Sequence, residues 1–210
     1  MIIVIDFDGV LFDDRKFKKE YIRIFADAGV TMREYEGAYR ESKNAHGGSY
    51  HPDTHLLLLK KMHTDFSIAL IKKKRAELVA LSFRYVFKDA EPFLASQKKK
   101  GLSLYMLSTG MGFQKKKIKS SGLSRYFKKI KIIPDSSKGA AMLRLLRGLR
   151  KEHFIFIDDK KEIVEEIKRA FPRASVIQMA RHKVERKSRG VDAVAKNFSE
   201  VARVIKKIWR

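Results

Sequence analysis

Short, predominantly apolar runs recur along the chain, and between them the apolar positions change to a helical spacing. Ile2 to Ile5 is the first such run, and it ends at Asp6-Phe7-Asp8-Gly9-Val10. A continuous β-branched run with no polar alternation predicts a strand buried on both faces. Strands are also predicted over Leu102 to Leu107, Ile130 to Ile133, Phe154 to Ile157 and Ser175 to Met179, of which only Phe154 to Ile157 is apolar throughout. Helices are predicted between them. One starts with Pro92 at its first position and closes at Gly101. A basic one runs to Gly122, and others cover Ser137 to Arg150, Lys160 to Phe171 and Phe198 to Trp209. Strands alternating with helices predict an α/β fold, a doubly wound parallel sheet covered on both faces.

The alternation breaks once. From Asp14 to Asp89 the pattern is helical only. Phe17, Tyr21, Ile24, Phe25 and Ala28 fall on one helical face. Further helices are predicted over Thr31 to Lys43, Thr54 to His63 and Phe66 to Phe87. Asn44 to Asp53, with Gly47-Gly48 and Pro52, reads as a loop. The expected organisation is an α/β core from residues 1–13 and 90–210, with an all-helical insert at 14–89.

Composition adds exclusions. The chain has 210 residues, 44% hydrophobic, with four Pro and no Cys. It can bury a full core, and thiolate catalysis, disulfides and Cys-ligated metals are ruled out. No apolar run approaches the 18 residues of a transmembrane helix, and the N-terminus carries no basic leader, so a cytoplasmic location is expected. The net charge of +23 is the unusual quantity. Such a surface attracts polyanions. Its basic clusters, however, are spread over Lys72–Arg75, Lys98–Lys100, Lys115–Lys119, Lys128–Lys131 and Arg181–Arg189. That distribution favours a generally basic surface over a dedicated nucleic-acid face.

The chemistry collects at strand ends. Asp6 and Asp8 follow the first strand, Ser108 and Thr109 the second, and Asp158 and Asp159 the fourth. Lys138 opens a helix after the third. Parallel strands bring these groups to one sheet edge. Several carboxylates there need a counter-charge, which a hard divalent cation supplies. Lys and hydroxyl groups suit phosphate oxygens. Two Asp at i and i+2 allow one to attack phosphorus and the other to donate a proton to the leaving group.

Asp6-x-Asp8-x-Val10, the strand ending at Ser108, Lys138 and the acidic pair Asp158-Asp159, in this order, resemble the haloacid dehalogenase (HAD) superfamily, phosphatase type. The resemblance covers residues 1–13 and 90–180, and the helical insert is similar to that family's C1-type cap. It implies Asp6 as nucleophile and Asp8 as general acid and base. It implies Mg²⁺ held by Asp6, Asp8 through its carbonyl, and Asp159 with Asp158 beside it. Ser108, Thr109 and Lys138 would bind the phosphoryl group. The superfamily's dehalogenases lack an acid at the position of Asp8, so phosphate chemistry is favoured. The second motif departs from the usual Ser/Thr-Asn, which leaves Ser108 and Thr109 as alternatives. Lys160-Lys161-Glu162-Ile163 blurs the metal-binding end of the fourth.

The expected function is Mg²⁺-dependent hydrolysis of a small phosphorylated metabolite through an aspartyl-phosphate, with no membrane partner. The alternatives are a phosphoryl transferase or mutase of the same superfamily, or a nucleic-acid-associated protein acting on polynucleotide or nucleotide phosphates. Arg15, His46 and His51 are candidate substrate contacts from the insert. His51 and His55 have the i, i+4 spacing of a metal pair, but Pro52 puts His51 ahead of the helix, and a polar loop is the preferred reading.

Overall fold

The computed structural model describes residues 1–63, 67–134, 138–146, 153–182 and 188–208. Its sheet has six strands, all parallel, in the order β3-β2-β1-β4-β5-β6. They are β1 (Ile2–Ile5), β2 (Ser103–Thr109), β3 (Lys129–Ile133), β4 (Phe154–Asp158), β5 (Ser175–Met179) and β6 (Ala193–Ala195). The central strand is the most apolar one. Every residue of β1 is at most 3% exposed, and burying each side chain of that size contributes about 1.5–3 kcal/mol.

The two-residue period of the strands sorts the core into two layers. Ile3, Ile5, Leu104, Met106, Ile155 and Ile157 face one side. There they meet α5 (Ala90–Lys99) and α9 (Phe198–Ile208), whose Phe93 and Phe198 rings stack at 4.4 Å. Ile2, Val4, Tyr105, Leu107, Phe154 and Phe156 face the other side. They pack on Met142 of α7 (Lys138–Leu145) and on Val164 and Ile167 of α8 (Lys161–Ala170). The expected doubly wound sheet is therefore present, with a helical layer on each face.

Between β1 and β2 the chain forms α1 (Asp14–Ala26), α2 (Met32–Asn44), α3 (Pro52–Met62) and α4 (Ile68–Ala80), then a 3₁₀ turn over Ser82–Tyr85. Sequence patterns start each helix. Asp13 accepts the Lys16 N–H, and Thr31 and Glu34 form a capping box. The outgoing and returning chains run side by side. Phe12 and Val86 form an antiparallel bridge, the Asp13 N–H donates to Tyr85 O at 2.7 Å, and the Phe87 N–H donates to Leu11 O at 3.0 Å. Arg181 pins this neck. It grips both Asp89 carboxylate oxygens, donates to Val10 O, and lies 4.1 Å above the Phe87 ring.

Several boundaries differ from the sequence reading. Pro92 is the third residue of α5, where its missing N–H is also tolerated. The loop is shorter than Asn44 to Asp53, because Asn44 ends α2 and Pro52 opens α3 behind His51, whose ring caps the helix. The long helix expected over Phe66 to Phe87 stops at Leu81, and Ser82 turns its hydroxyl onto Val79 O. Phe66 itself, the end of the helix expected to reach Arg150, and Trp209 lie outside the described residues. Strand β6 was not expected: three residues at a sheet edge carry too little periodicity. No helix among the described residues is long and apolar enough to cross a membrane.

Candidate active site

The C-terminal edge of the sheet collects the acidic groups. Asp6 continues β1, with its N–H donating to Ile157 O at 2.9 Å. The chain then folds back tightly: the N–H groups of Leu11 and Phe12 both donate to Phe7 O, and that of Gly9 donates to Phe12 O. Gly9 has φ +72°, and a Cβ there would collide with the Asp159 carboxylate. Glycine is thus required twice, for the turn and for the close approach.

Below this turn, a buried lysine joins two carboxylates. Lys138, 1% exposed, opens α7 and places Nζ 2.7 Å from Asp158 Oδ2 and 2.9 Å from Asp6 Oδ1. The first contact is a hydrogen bond. The second is at ion-pair distance without hydrogen-bond geometry, so Asp6 Oδ1 is left without a hydrogen-bond partner among the described residues. Burial alone would lower the Lys138 pKa, but the Asp158 and Asp6 charges outweigh it and hold the ammonium well above its usual range. Asp158 Oδ1 also accepts the Lys160 N–H at 3.0 Å. Asp159 Oδ1, by contrast, is buried without a hydrogen-bond partner.

Asp6, Asp158 and Asp159 bring ligand oxygens within 4.8 Å of one another. Burial raises the Asp6 carboxyl to about 7, with Lys138 opposing and Asp158 and Asp8 adding. Burial likewise raises Asp159 to about 8, helped by the Asp6 and Asp158 charges. Asp159 Oδ1 without a donor, and Asp6 Oδ1 facing the Lys138 ammonium alone, belong to an all-oxygen set that fits a hard divalent cation.

Asp8 lies apart from this cluster and faces outward. Its Oδ1 pairs with Lys117 Nζ at 2.7 Å, and its Oδ2 accepts from Gln114 Nε2 at 2.8 Å. The same Gln114 amide donates to Ser108 Oγ at 3.0 Å. Lys117 is 6% exposed and lies 4.8 Å from the centre of the Phe12 ring. Both residues belong to α6 (Gly112–Ser120), three positions apart on its inward face. Sequence reasoning missed them. Lys117 sits in a row of lysines, and only the helical phase shared with Gln114 and Ile118 distinguishes it.

Above Asp8 opens a cavity of about 260 Å³ between the sheet edge and the inserted helices. Asp8, Thr109, Gly110, Lys117 and Lys160 line its floor, while Tyr39, Lys43, Gly48 and Tyr50 line its far end. Ser108 is buried beneath, and Thr109 is the one that reaches the cavity. The Gly-rich loop does reach it, but through Gly48 and Tyr50. His46 and His51 stack on each other at 4.3 Å and share Thr54 Oγ1, with His51 on a neighbouring groove. Arg15 is exposed on α1 and is not among the lining residues. His55 is fully buried, bonded to Tyr50 and to the Tyr35 carbonyl, and lies apart from the metal-like cluster.

The fold has many solved counterparts. A Burkholderia xenovorans protein assigned to the haloacid dehalogenase-like hydrolases superimposes with a TM-score of 0.76 at 16% identity, over 98% of this chain and 96% of the other. A HAD phosphatase from Thermococcus onnurineus gives 0.71 at 16% identity, over 97% of each chain. An L-2-haloacid dehalogenase from Xanthobacter autotrophicus gives 0.66 at 14% identity, over 98% of each. At such identities the likeness establishes the fold, and phosphatase and dehalogenase alike share it. No curated protein matches the sequence. The family model of haloacid dehalogenase-like hydrolases, however, matches residues 1–170, so the chain belongs to that family and is an enzyme of the hydrolase class.

Proposed function

We propose that this enzyme hydrolyses phosphate monoesters through a phosphorylated Asp6. The observation that carries the proposal is the second carboxylate, Asp8, on the floor of the cavity two residues after Asp6. A halide leaves carbon as a stable anion and needs no proton. An alkoxide leaving phosphorus does need one, and Asp8, which lines the cavity, is the group we assign to supply it.

In the first step an Asp6 carboxylate oxygen bonds to phosphorus as the bond to the ester oxygen breaks. Asp8, which takes up a proton from solvent before this step, gives it to that oxygen, and the alcohol departs. In the second step water attacks phosphorus and yields a proton to Asp8, the bond to Asp6 breaks, and phosphate is released. Lys138 holds Asp6 in place from below. Thr109, with the floor cations Lys117 and Lys160, orients the phosphoryl oxygens, with Ser108 supporting Gln114 beneath. Asp159, rather than Asp158, would be the direct metal ligand with Asp6, because Asp158 is committed to Lys138 and the Lys160 N–H. A bound Mg²⁺ supplies positive charge against the carboxylates and the phosphoryl group. The helical segment 14–89 acts as a cap that selects the ester and excludes water from the first step.

Phosphate release from a panel of phosphorylated metabolites should require Mg²⁺ and stop with EDTA. Release of halide from 2-haloacids by the same preparation, without phosphatase activity, would overturn the proposal.

The metal has a second signature, in stability. With folded pKa values of about 7 and 8 against 3.8, Asp6 and Asp159 keep protons in the folded state that the unfolded chain has lost. Their contribution is fully present below pH 3.8 and is lost as pH rises through 7 and 8. Mg²⁺ competes with those protons, so it should stabilise the protein more at pH 8 than at pH 5. At a hundredfold excess over its Kd the gain is about 2.7 kcal/mol, or about 5–10 °C in Tm. Thermal melts at the two pH values check this; equal shifts would contradict it.

A further inference from the structure

Taking the phosphatase reading as its basis, we infer that the leaving group is a planar aromatic moiety, such as a nucleoside or an aryl group, rather than a polyhydroxylated sugar. Six aromatic rings line the cavity above Asp8: Phe17, Tyr21, Tyr35, Tyr39, Tyr50 and Phe113. They come from three separate helices and the Gly-rich loop, so this is not one amphipathic stripe turned inward. Tyr39 and Tyr50 pack at 4.8 Å, Tyr21 and Phe113 at 5.7 Å, and Tyr50 and Phe113 edge-on at 6.2 Å.

The hydroxyl protons of Tyr21 and Tyr50 do not serve a ligand. His55 Nε2 lies 3.1 Å from the Tyr35 carbonyl, an acceptor, so Nε2 carries the hydrogen and Nδ1 accepts. Tyr50 then donates to His55 Nδ1 at 2.9 Å, and Tyr21 donates to Tyr50 at 2.7 Å. Both hydroxyl protons are thus committed to a chain running into the fully buried His55. A sugar ring needs several directed partners to replace its hydration; the polar groups of this lining are mostly charged ones, whereas Tyr39, Tyr50 and Phe113 are part-exposed and offer ring surface, with Phe17, Tyr21 and Tyr35 buried behind them.

An aromatic cavity also suits quaternary ammonium groups. The charges here argue against that. Lys18 already lies over the Tyr39 ring at 5.7 Å, and Lys18 and Lys43 line the same end of the cavity. The charged groups lining the cavity are four lysines, Lys18, Lys43, Lys117 and Lys160, against two aspartates, Asp8 and Asp14, so a cationic group meets net repulsion, whereas a neutral or anionic ring is accepted.

The test is binding to the Asp6→Asn protein by calorimetry, which separates ring recognition from turnover. 1-Naphthyl phosphate and a nucleoside 5′-monophosphate should bind at least about tenfold more tightly than glucose 6-phosphate, glycerol 3-phosphate or phosphocholine. The stronger of the first two identifies the aryl or the nucleoside source. Tyr39→Leu and Phe113→Leu keep apolar volume and remove a ring. Each should reduce the margin about two- to tenfold, as expected for one lost aromatic contact. Equal affinities across the panel, or tighter binding of sugar phosphate or phosphocholine, would overturn the inference, as would a margin that survives both substitutions in folded protein. Failure of the phosphatase reading would look different: the unsubstituted enzyme would release phosphate from none of these esters.

Discussion

Replacing Asp6 with Asn is expected to abolish phosphate release, by at least about a thousandfold, or about 4 kcal/mol in the barrier, while the protein stays folded. An amide oxygen cannot form the acyl phosphate, so the covalent route closes. The fold should tolerate the change because the amide has nearly the carboxylate's shape. Burial already holds the Asp6 carboxyl near 7, so its charge adds little to stability at neutral pH. Lys138 keeps its hydrogen bond to Asp158. The denaturation midpoint should therefore stay close to that of the unsubstituted protein. Substantial turnover in protein shown by mass spectrometry to be free of deamidated Asp6 would remove Asp6 from the nucleophile's place.

Lys138→Met should have the largest effect on stability. Lys138 is the ammonium between Asp6 and Asp158, and all three side chains are at most 5% exposed. A methionine of similar length fills the space but leaves two buried carboxylates facing each other. Removing one partner of such a buried cluster costs about 3–5 kcal/mol. The sign with pH is specific. With Lys138 present, the Asp6 carboxyl is raised to about 7; without it the pKa climbs further. The loss should be greatest at pH 8 and should shrink as pH falls toward 5, where the carboxyl takes up its proton. Urea denaturation at both values measures it, and adding Asp158→Asn should recover part of the loss. A deficit below about 1 kcal/mol, or one that grows on acidification, would show that Lys138 is not the counter-charge of this cluster.

Five of the six strands, all but the short edge strand β6, and the place of the acidic residues could be read from the chain alone. A strand buried on both faces must be apolar without interruption, and Ile2–Ile5 and Phe154–Ile157 are. Parallel strands of one doubly wound sheet end at one edge, so Asp6, Asp158, Asp159, Ser108 and Lys138 had to meet once the alternation was recognised. The helical character of residues 14–89 was legible for the same reason, since a period near 3.6 is a local property.

What the period does not carry is which faces meet. Lys117 looks like the three other lysines of Lys115–Lys119 until the angle of α6 against the loop at Phe7–Phe12 turns it onto Asp8. Phe17 and Tyr21 read as ordinary apolar-face residues of their helix, and only its packing with the helices that carry Tyr39 and Phe113 over the sheet edge leaves a cavity between them. His46 and His51 looked exposed and functional by their loop, yet they cap and brace α3, while the silent neighbours Gly48 and Tyr50 reach the cavity. The chain's local order decides its elements and the edge where reactive groups gather. Their partners and the shape above them depend on helix crossings between residues some 30 to 110 positions apart, as with Asp8 and Lys117 or Tyr21 and Tyr50, and no spacing along the sequence encodes those.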